Sequence, residues 1–502
     1  MDAHARNGGG DPYDDGDPDS DPYGDDDSET GTAAVKLTVS QQKYLAAGKQ
    51  KQDMHAILTV EVEGVGGAAG PGPGSILAQV LVIDCSSSMN APPEKFRAAK
   101  AAAIAALRML PDDTPFAVVR GAHDATMAYP ATPTMVRATP RLRAEAERAV
   151  HGLLAAGGTA VGTWLDLTRR LLTEQPAPIR HALLLTDGRN EHDERMPLAW
   201  VLDRCEGQFI CDGWGIGSDW DAQVLLQISS RLHGASSAVR KHADLPGEYE
   251  RLMRGLLAKA VPELVIEVAP RPGNTVRYLK QVEPTEVSLV DTGPEKGPSA
   301  FVTRAWGNEL RRYQLCVSAD PTGRRTRVDL QLAVVGVAMP AGGEALLPTP
   351  LPCLVHWTDD PALSSRTDNQ NDFFSRHLEL GKTLTAASDA FRRDEKDRSE
   401  QLLGKAVQLA QQVNDQSQLA KLRRLVEVLD ATAGRVKLHP GLKPVDFQHL
   451  ITASSRSAFP GSSGGETEAP PDVTAPCPSC GEPVATGAKF CTYCGARKAA
   501  AT

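Results

Sequence analysis

A chain of 502 residues is too long for one hydrophobic core, and its ordinary soluble composition implies about three packed domains. The net charge of −9 is concentrated at one end: residues 1–33 hold eleven acids against Arg6 alone, a net −10, so the remainder is close to +1 and offers no broad basic field for nucleic acid. No run of about 18 apolar residues occurs, which argues against a membrane-spanning helix, and the acidic amino terminus lacks the apolar core of a secretory signal.

Residues 1–33 are rich in Asp, Gly and Pro and poor in apolar residues, the composition of a disordered acidic tail. The tail lacks the closing Glu of an EF-hand loop, so calcium is not expected there. It serves as a solvating segment or as a lure for a basic partner. Two β-rich runs follow, Val35–Val39 and Ile57–Val62, and then a Gly/Pro linker.

Residues 75–260 alternate short apolar runs with amphipathic stretches, the pattern of a doubly wound, Rossmann-like α/β domain. Strands are predicted at Ala78–Asp84, Phe116–Arg120, Ala182–Thr186 and Phe209–Ile216, with weaker ones near Thr126–Tyr129 and Ser237–Lys241. Helices are predicted at Glu94–Met109, Arg141–Leu154, Val161–Glu174, Met196–Cys205, Ala222–Leu232 and Glu248–Ala260. The first strand runs into Asp84-Cys85-Ser86-Ser87-Ser88, which supplies a carboxylate and two hydroxyls at alternate positions. A strand–loop–helix junction of this kind lies at the carboxyl edge of an α/β sheet, where such folds place ligands. Oxygen donors without nitrogen or thiolate suit a hard cation, Mg²⁺ above all. Two further pieces complete the set: Thr159 in Gly157-Gly158-Thr159-Ala160, and Asp187 in Thr186-Asp187-Gly188 at the end of another buried strand.

The order D-x-S-x-S, GGT, TDG resembles the metal-ion-dependent adhesion site of the von Willebrand factor A family, over about Ser75 to Ala260. The resemblance implies that Ser86, Ser88 and Thr159 approach a Mg²⁺ (or Mn²⁺ or Ca²⁺) ion, with Asp84 and Asp187 acting mostly through bound water. Cys85 fills a free position. The helix opening at Thr159 is expected to turn its positive end toward the site and favour an acidic side chain from a partner.

After Pro262 the pattern turns to β, with strands predicted at Leu264–Val268, Thr275–Leu279, Glu286–Val290, Tyr313–Val317, Arg327–Ala333 and Leu351–Trp357. Ends that flank an inserted domain usually lie close together, so residues 34–63 and 262–360 are expected to build one β-sandwich around the inserted α/β domain. Residues 370–458 read as a helical domain. In it Leu402–Val413 and Leu419–Leu429 carry apolar residues at helical spacing, as an antiparallel hairpin after a helix at Phe373–Phe391. Residues 459–475 are a flexible linker with a span of about 20–25 Å.

Residues 476–498 contain Cys477, Cys480, Cys491 and Cys494 as two C-x-x-C-G knuckles, a tetrahedral Zn²⁺ signal in a segment too short to bury a core without metal. It resembles a bacterial zinc ribbon. The other five cysteines are scattered and odd in number, as expected of reduced thiols in a cytoplasmic protein.

These features point to a non-catalytic scaffold or adaptor, with a partner's Asp or Glu completing the cation's coordination and the ribbon adding a tethered contact. Family resemblance also raises an accessory subunit of an AAA+ ATPase, or of a kinase or phosphatase complex. A Mg²⁺-dependent hydrolase is a third reading, with His192 as its only candidate base. The sequence has no Walker loop, kinase signature or G-x-S-x-G elbow to support it.

Overall fold

All eight residues of the strand Leu77–Asp84 are buried, because the sheet is covered by helices on both faces. The computed structural model describes residues 32–459 except 49, 66–75, 218–219, 240, 296, 323, 325 and 341–344, together with the short strands Thr474–Pro476 and Pro483–Ala485. The acidic tail over residues 1–31, most of the linker before the ribbon, and Cys477, Cys480, Cys491 and Cys494 lie outside the described residues.

Leu77–Asp84 sits in the middle of a seven-stranded sheet. On one side it pairs in parallel with Ile179–Thr186, followed by Ile210–Ile216 and Ser236–Val239. On the other it pairs in parallel with Pro115–Gly121, against which Ala125–Tyr129 and Val136–Arg137 run antiparallel. Alternate residues of the central strand face opposite layers. Ala78, Val80 and Val82 pack on Trp164 and Leu165 of the helix Val161–Thr173. Leu77, Leu81 and Ile83 pack on the helix Pro93–Met109, where Ala99, Ala102, Ala103 and Ala106 let the helix lie close to the sheet.

Strands from before and after this segment share two further sheets. One has the order Val287–Ser288, Thr275–Glu283, Glu309–Ala319, Gln52–Glu63, Ala33–Gln41, Ala345–Leu346. The other has the order Ser299–Trp306, Val261–Pro270, Asp329–Ala338, Leu351–Thr358, Tyr44–Ala46. Their inner faces enclose one core that includes Met54, Leu58, Leu264, Ile266, Trp306, Tyr313 and Trp357. The ends of the α/β segment meet at one corner of this layer. Asn308 holds the Val65 backbone through both its amide atoms, at 2.8 and 3.0 Å, and Ala260 N–H donates to the Trp306 carbonyl at 2.9 Å. The sandwich touches the α/β sheet at its amino edge. There a cavity of about 240 Å³ lies between Ile179, Arg180 and Phe209 on one side and Glu263 and Arg304 on the other.

The helical region departs from the sequence expectation at its second hairpin arm. Helices span Asn369–Arg392 and Lys396–Gln412, but the next ends at Leu422, and Val426–Asp430 then pairs antiparallel with Arg435–Leu438. Leu429, assigned by its spacing to the apolar stripe, is exposed. The β-branched Val426 and Val428, followed by an Asx turn in which Asp430 accepts from Ala433 N–H at 2.9 Å, favour a hairpin over continued helix. A further helix, Pro444–Ser454, closes the region and reaches the α/β domain, where Gln448 accepts from Ala222 N–H at 2.8 Å.

Trp164 lies so close beneath Gly121 that a β-carbon there would stand 2.5 Å from its ring, and its indole N–H donates to the Ala122 carbonyl at 2.7 Å. Gly121→Ala is therefore expected to lower stability by about 1–3 kcal/mol, read as a fall in the denaturant midpoint with the slope unchanged.

Candidate functional site

The central strand delivers Asp84 to the carboxyl edge, between strands through which the chain passes at different times, one on each side. This is the switch point at which open α/β sheets hold ligands. Asp84 is fully buried. Its Oδ1 accepts from Ser86 N–H at 2.8 Å and its Oδ2 from the Thr186 hydroxyl at 2.7 Å. The next residues leave in a short 3₁₀ turn, Ser87–Asn90, before the helix begins at Pro93. This turn brings the Ser86 and Ser88 hydroxyls to 2.9 Å from each other, and Ser88 Oγ donates to Asp187 Oδ1 at 2.8 Å.

The glycine-rich loop closes onto the same place. Ser87 N–H donates to the Gly157 carbonyl at 2.8 Å and Ser87 Oγ accepts from Gly157 N–H at 3.1 Å. Thr159 is anchored from the other side, its carbonyl accepting from Glu191 and His192 N–H, both at 3.0 Å. A β-carbon built on Gly188 would stand 3.1 Å from Thr159 Oγ1, 3.7 Å from Asp84 Oδ2 and 3.8 Å from Ser88 Oγ. Gly188 thus floors a small space on which a carboxylate and two hydroxyls converge. The structure brings together all five residues singled out from the sequence: Asp84, Ser86, Ser88, Thr159 and Asp187.

These donors are all oxygen, the set that suits a hard divalent cation. Among the described residues no cluster of three or more His, Cys, Asp or Glu side chains is placed to hold a metal, so a softer site has no support there. Cys85 is buried and its thiol is pushed up to about 12, chiefly by that burial, so it stays protonated beside the site.

Three features went unread in the sequence. Lys95 is buried, and its ammonium pairs with Asp187 Oδ2, an oxygen without any other partner. Lysine is almost never so enclosed unless paired. The available signal was its register, since Lys95 lies four residues before Ala99 and seven before Ala102 on the buried stripe. The second is the Thr186 hydroxyl, which orients Asp84. The third is the cap of the helix expected to open at Thr159. That helix starts at Val161, whose N–H already donates to Asn190 Oδ1 at 3.0 Å. His192 stands against Gly158, where a β-carbon would strike its ring, and its side chain is 40% exposed with Glu194 at 3.4 Å.

Comparison with known proteins assigns the segment that carries these residues to a family. Residues 78–238 match the family model for the von Willebrand factor type A domain, and residues 473–497 match that for a zinc-ribbon domain. A von Willebrand factor type A protein from Catenulispora acidiphila superposes with a TM-score of 0.75 at 29% identity, covering 86% of this chain and 98% of that one. The α/β segment is a von Willebrand factor type A domain. Such domains commonly mediate protein–protein contacts and often bind a divalent metal at the corresponding edge. The Catenulispora match extends well beyond the domain itself, into the surrounding sheets and helices. An uncharacterized Synechocystis sp. protein is 26% identical over 216 residues, 42% of this chain; the chain spans about half of that relative, 49% of its length. The VWA2 paralog of ArnB from Sulfolobus acidocaldarius gives a TM-score of 0.49 at 11% identity, over 85% of this chain and 98% of that one.

Burial, and next the nearby Asp187, raise the Asp84 carboxyl well above the ordinary Asp range, to about 6. In metal-free protein the folded state therefore favours protonated Asp84. The contribution of this carboxyl to stability is fully present below about pH 4 and is lost, by roughly 2–3 kcal/mol, as pH rises through about 6. Denaturant titrations in chelator across this window check it. Asp84→Asn should flatten the dependence.

Proposed function

We propose that this chain is a non-catalytic interaction module whose von Willebrand factor type A domain binds an acidic residue of a protein partner through a divalent cation. Ser86, Ser88 and Thr159 would hold Mg²⁺ directly, with Asp84 and Asp187 supporting it, largely through water. The cation would supply a Lewis-acidic point of attachment. The side chains fix it by burial at the sheet edge and by the hydroxyl–carboxylate bonds that orient each donor. The convergence of five oxygen-bearing side chains at the switch point of the sheet, three of them over Gly188, carries the reading.

A turnover role has less support. His192 stands against Gly158, as His123 does against Gly157, and the acid paired with His192, Glu194, is 73% exposed, a weak arrangement for orienting a general base. The Cys477, Cys480, Cys491 and Cys494 set would hold Zn²⁺ in the ribbon and give a second, tethered contact. The other five cysteines are free and buried, which fits a reducing, cytoplasmic setting. Among the described residues no helix is long and apolar enough to cross a membrane.

Capture of partners by the full chain, in Mg²⁺ and in EDTA, tests the first contact. Asp84→Ala is expected to weaken capture by about tenfold or more, as is EDTA, with the circular dichroism spectrum retained. Undiminished capture by the folded variant would sink the metal-bridged mechanism. For the ribbon, metal analysis should find Zn²⁺ that is lost in a Cys477→Ser, Cys480→Ser double variant. The thermal transition of the remaining domains should not move.

A further inference from the structure

Two carboxylates, Asp84 and Asp187, are wholly buried within one small site, and one cation of the chain itself is buried with them. Lys95 is reached from the helix Pro93–Met109, yet its stem crosses to the loop after the strand Ile210–Ile216, where a β-carbon on Gly217 would stand 2.9 Å from Lys95 Cδ. Its Nζ contacts Asp187 Oδ2, while Asp187 Oδ1 takes the Ser88 hydroxyl. The two oxygens of Asp187 are thus divided, one toward the hydroxyl cluster and one toward a fixed positive charge. Among the described residues Asp84 has no such counter-ion; it is held by the amide and hydroxyl of Ser86 and by the Thr186 hydroxyl.

We propose that Lys95 sets the ligand preference of the site by cancelling one of its two carboxylate charges. Two carboxylates and one ammonium leave a single negative charge. A bound divalent cation then leaves the site with a net positive charge, and an anionic ligand restores neutrality. Without Lys95 the loaded site would already be neutral, and a neutral ligand such as water would suffice. In a buried site this difference is large, because charges there are poorly screened. The lysine therefore opposes the metal and favours the partner's acid. It is a specificity-determining residue, and this role rests on the metal-bridged reading above.

The opposed signs make the test. Mn²⁺ is titrated into the full chain and followed by its electron paramagnetic resonance. Acetate is then titrated into the Mn²⁺-loaded protein and followed by water proton relaxation as it displaces bound water. Lys95→Met is expected to bind Mn²⁺ about tenfold or more tighter, and acetate about tenfold or more weaker, than wild type. Lys95→Arg, which keeps the charge, should stay near wild type for acetate. The methionine variant leaves Asp187 buried without its counter-ion, so its melting temperature in EDTA should fall, and Mn²⁺ should raise it by more than in wild type. That thermal comparison keeps the test open if the metal-free variant is too unstable to titrate. Equal or weaker Mn²⁺ binding by Lys95→Met, or unchanged acetate binding, would overturn the charge-setting role and leave Lys95 a packing residue. A wild-type chain that takes up no Mn²⁺ would overturn the metal reading itself.

Discussion

The site depends on burying two carboxylates side by side at the end of a parallel strand. Neither Asp84 nor Asp187 reaches solvent, and an isolated buried carboxylate is costly, so each of their oxygens must be met. The Ser86 amide, the Thr186 and Ser88 hydroxyls and the Lys95 ammonium meet them. These four partners come from three pieces of chain: the turn after the central strand, the end of the neighbouring strand, and the first turn of the helix. The requirement to satisfy these oxygens fixes how the three pieces converge.

The β-sandwich lies at the opposite edge of the sheet. Both ends of the von Willebrand factor type A domain are tied to the Trp306–Asn308 corner, and the sandwich meets the amino edge of the sheet. The site lies at the carboxyl edge, on the far side of the sheet. The strand Gln52–Glu63, from before the domain, pairs along its length with Glu309–Ala319, from after it. The C-terminal helices brace the domain from a third side, through Gln448 on Ala222 and the edge-on contact of Trp220 with His449.

Much of the α/β segment was legible because its signals are local. The central strand, expected at Ala78–Asp84, runs Leu77–Asp84, and its helix, expected from Glu94, starts one residue earlier at Pro93. Apolar runs and helical stripes survive intact in buried layers, so period and composition report them directly. The second hairpin arm was misread because Leu419, Leu422, Leu425 and Leu429 satisfy a helical period, while the turn at Asp430–Gly434 is recorded only in short-range hydrogen bonding. The strands Ser299–Trp306 and Tyr44–Ala46 went unassigned. The first is interrupted by charge at Arg304, and the second is only three residues long.

Sequence alone determined which residue types could meet at the sheet edge. D-x-S-x-S, GGT and TDG each stand at a strand end or before a helix, and strand ends in a parallel sheet share one edge. Tertiary structure alone decided the charge of the place where they meet. Register separates Lys95, on the buried stripe, from the exposed Arg97 two residues on, but it does not say where the ammonium ends. Only the docking of the helix against the sheet, with Gly217 leaving room for the lysine stem, carries that ammonium inward to Asp187. Burial is a property of the assembled layers rather than of the chain, and it converts a surface-type residue into part of the site.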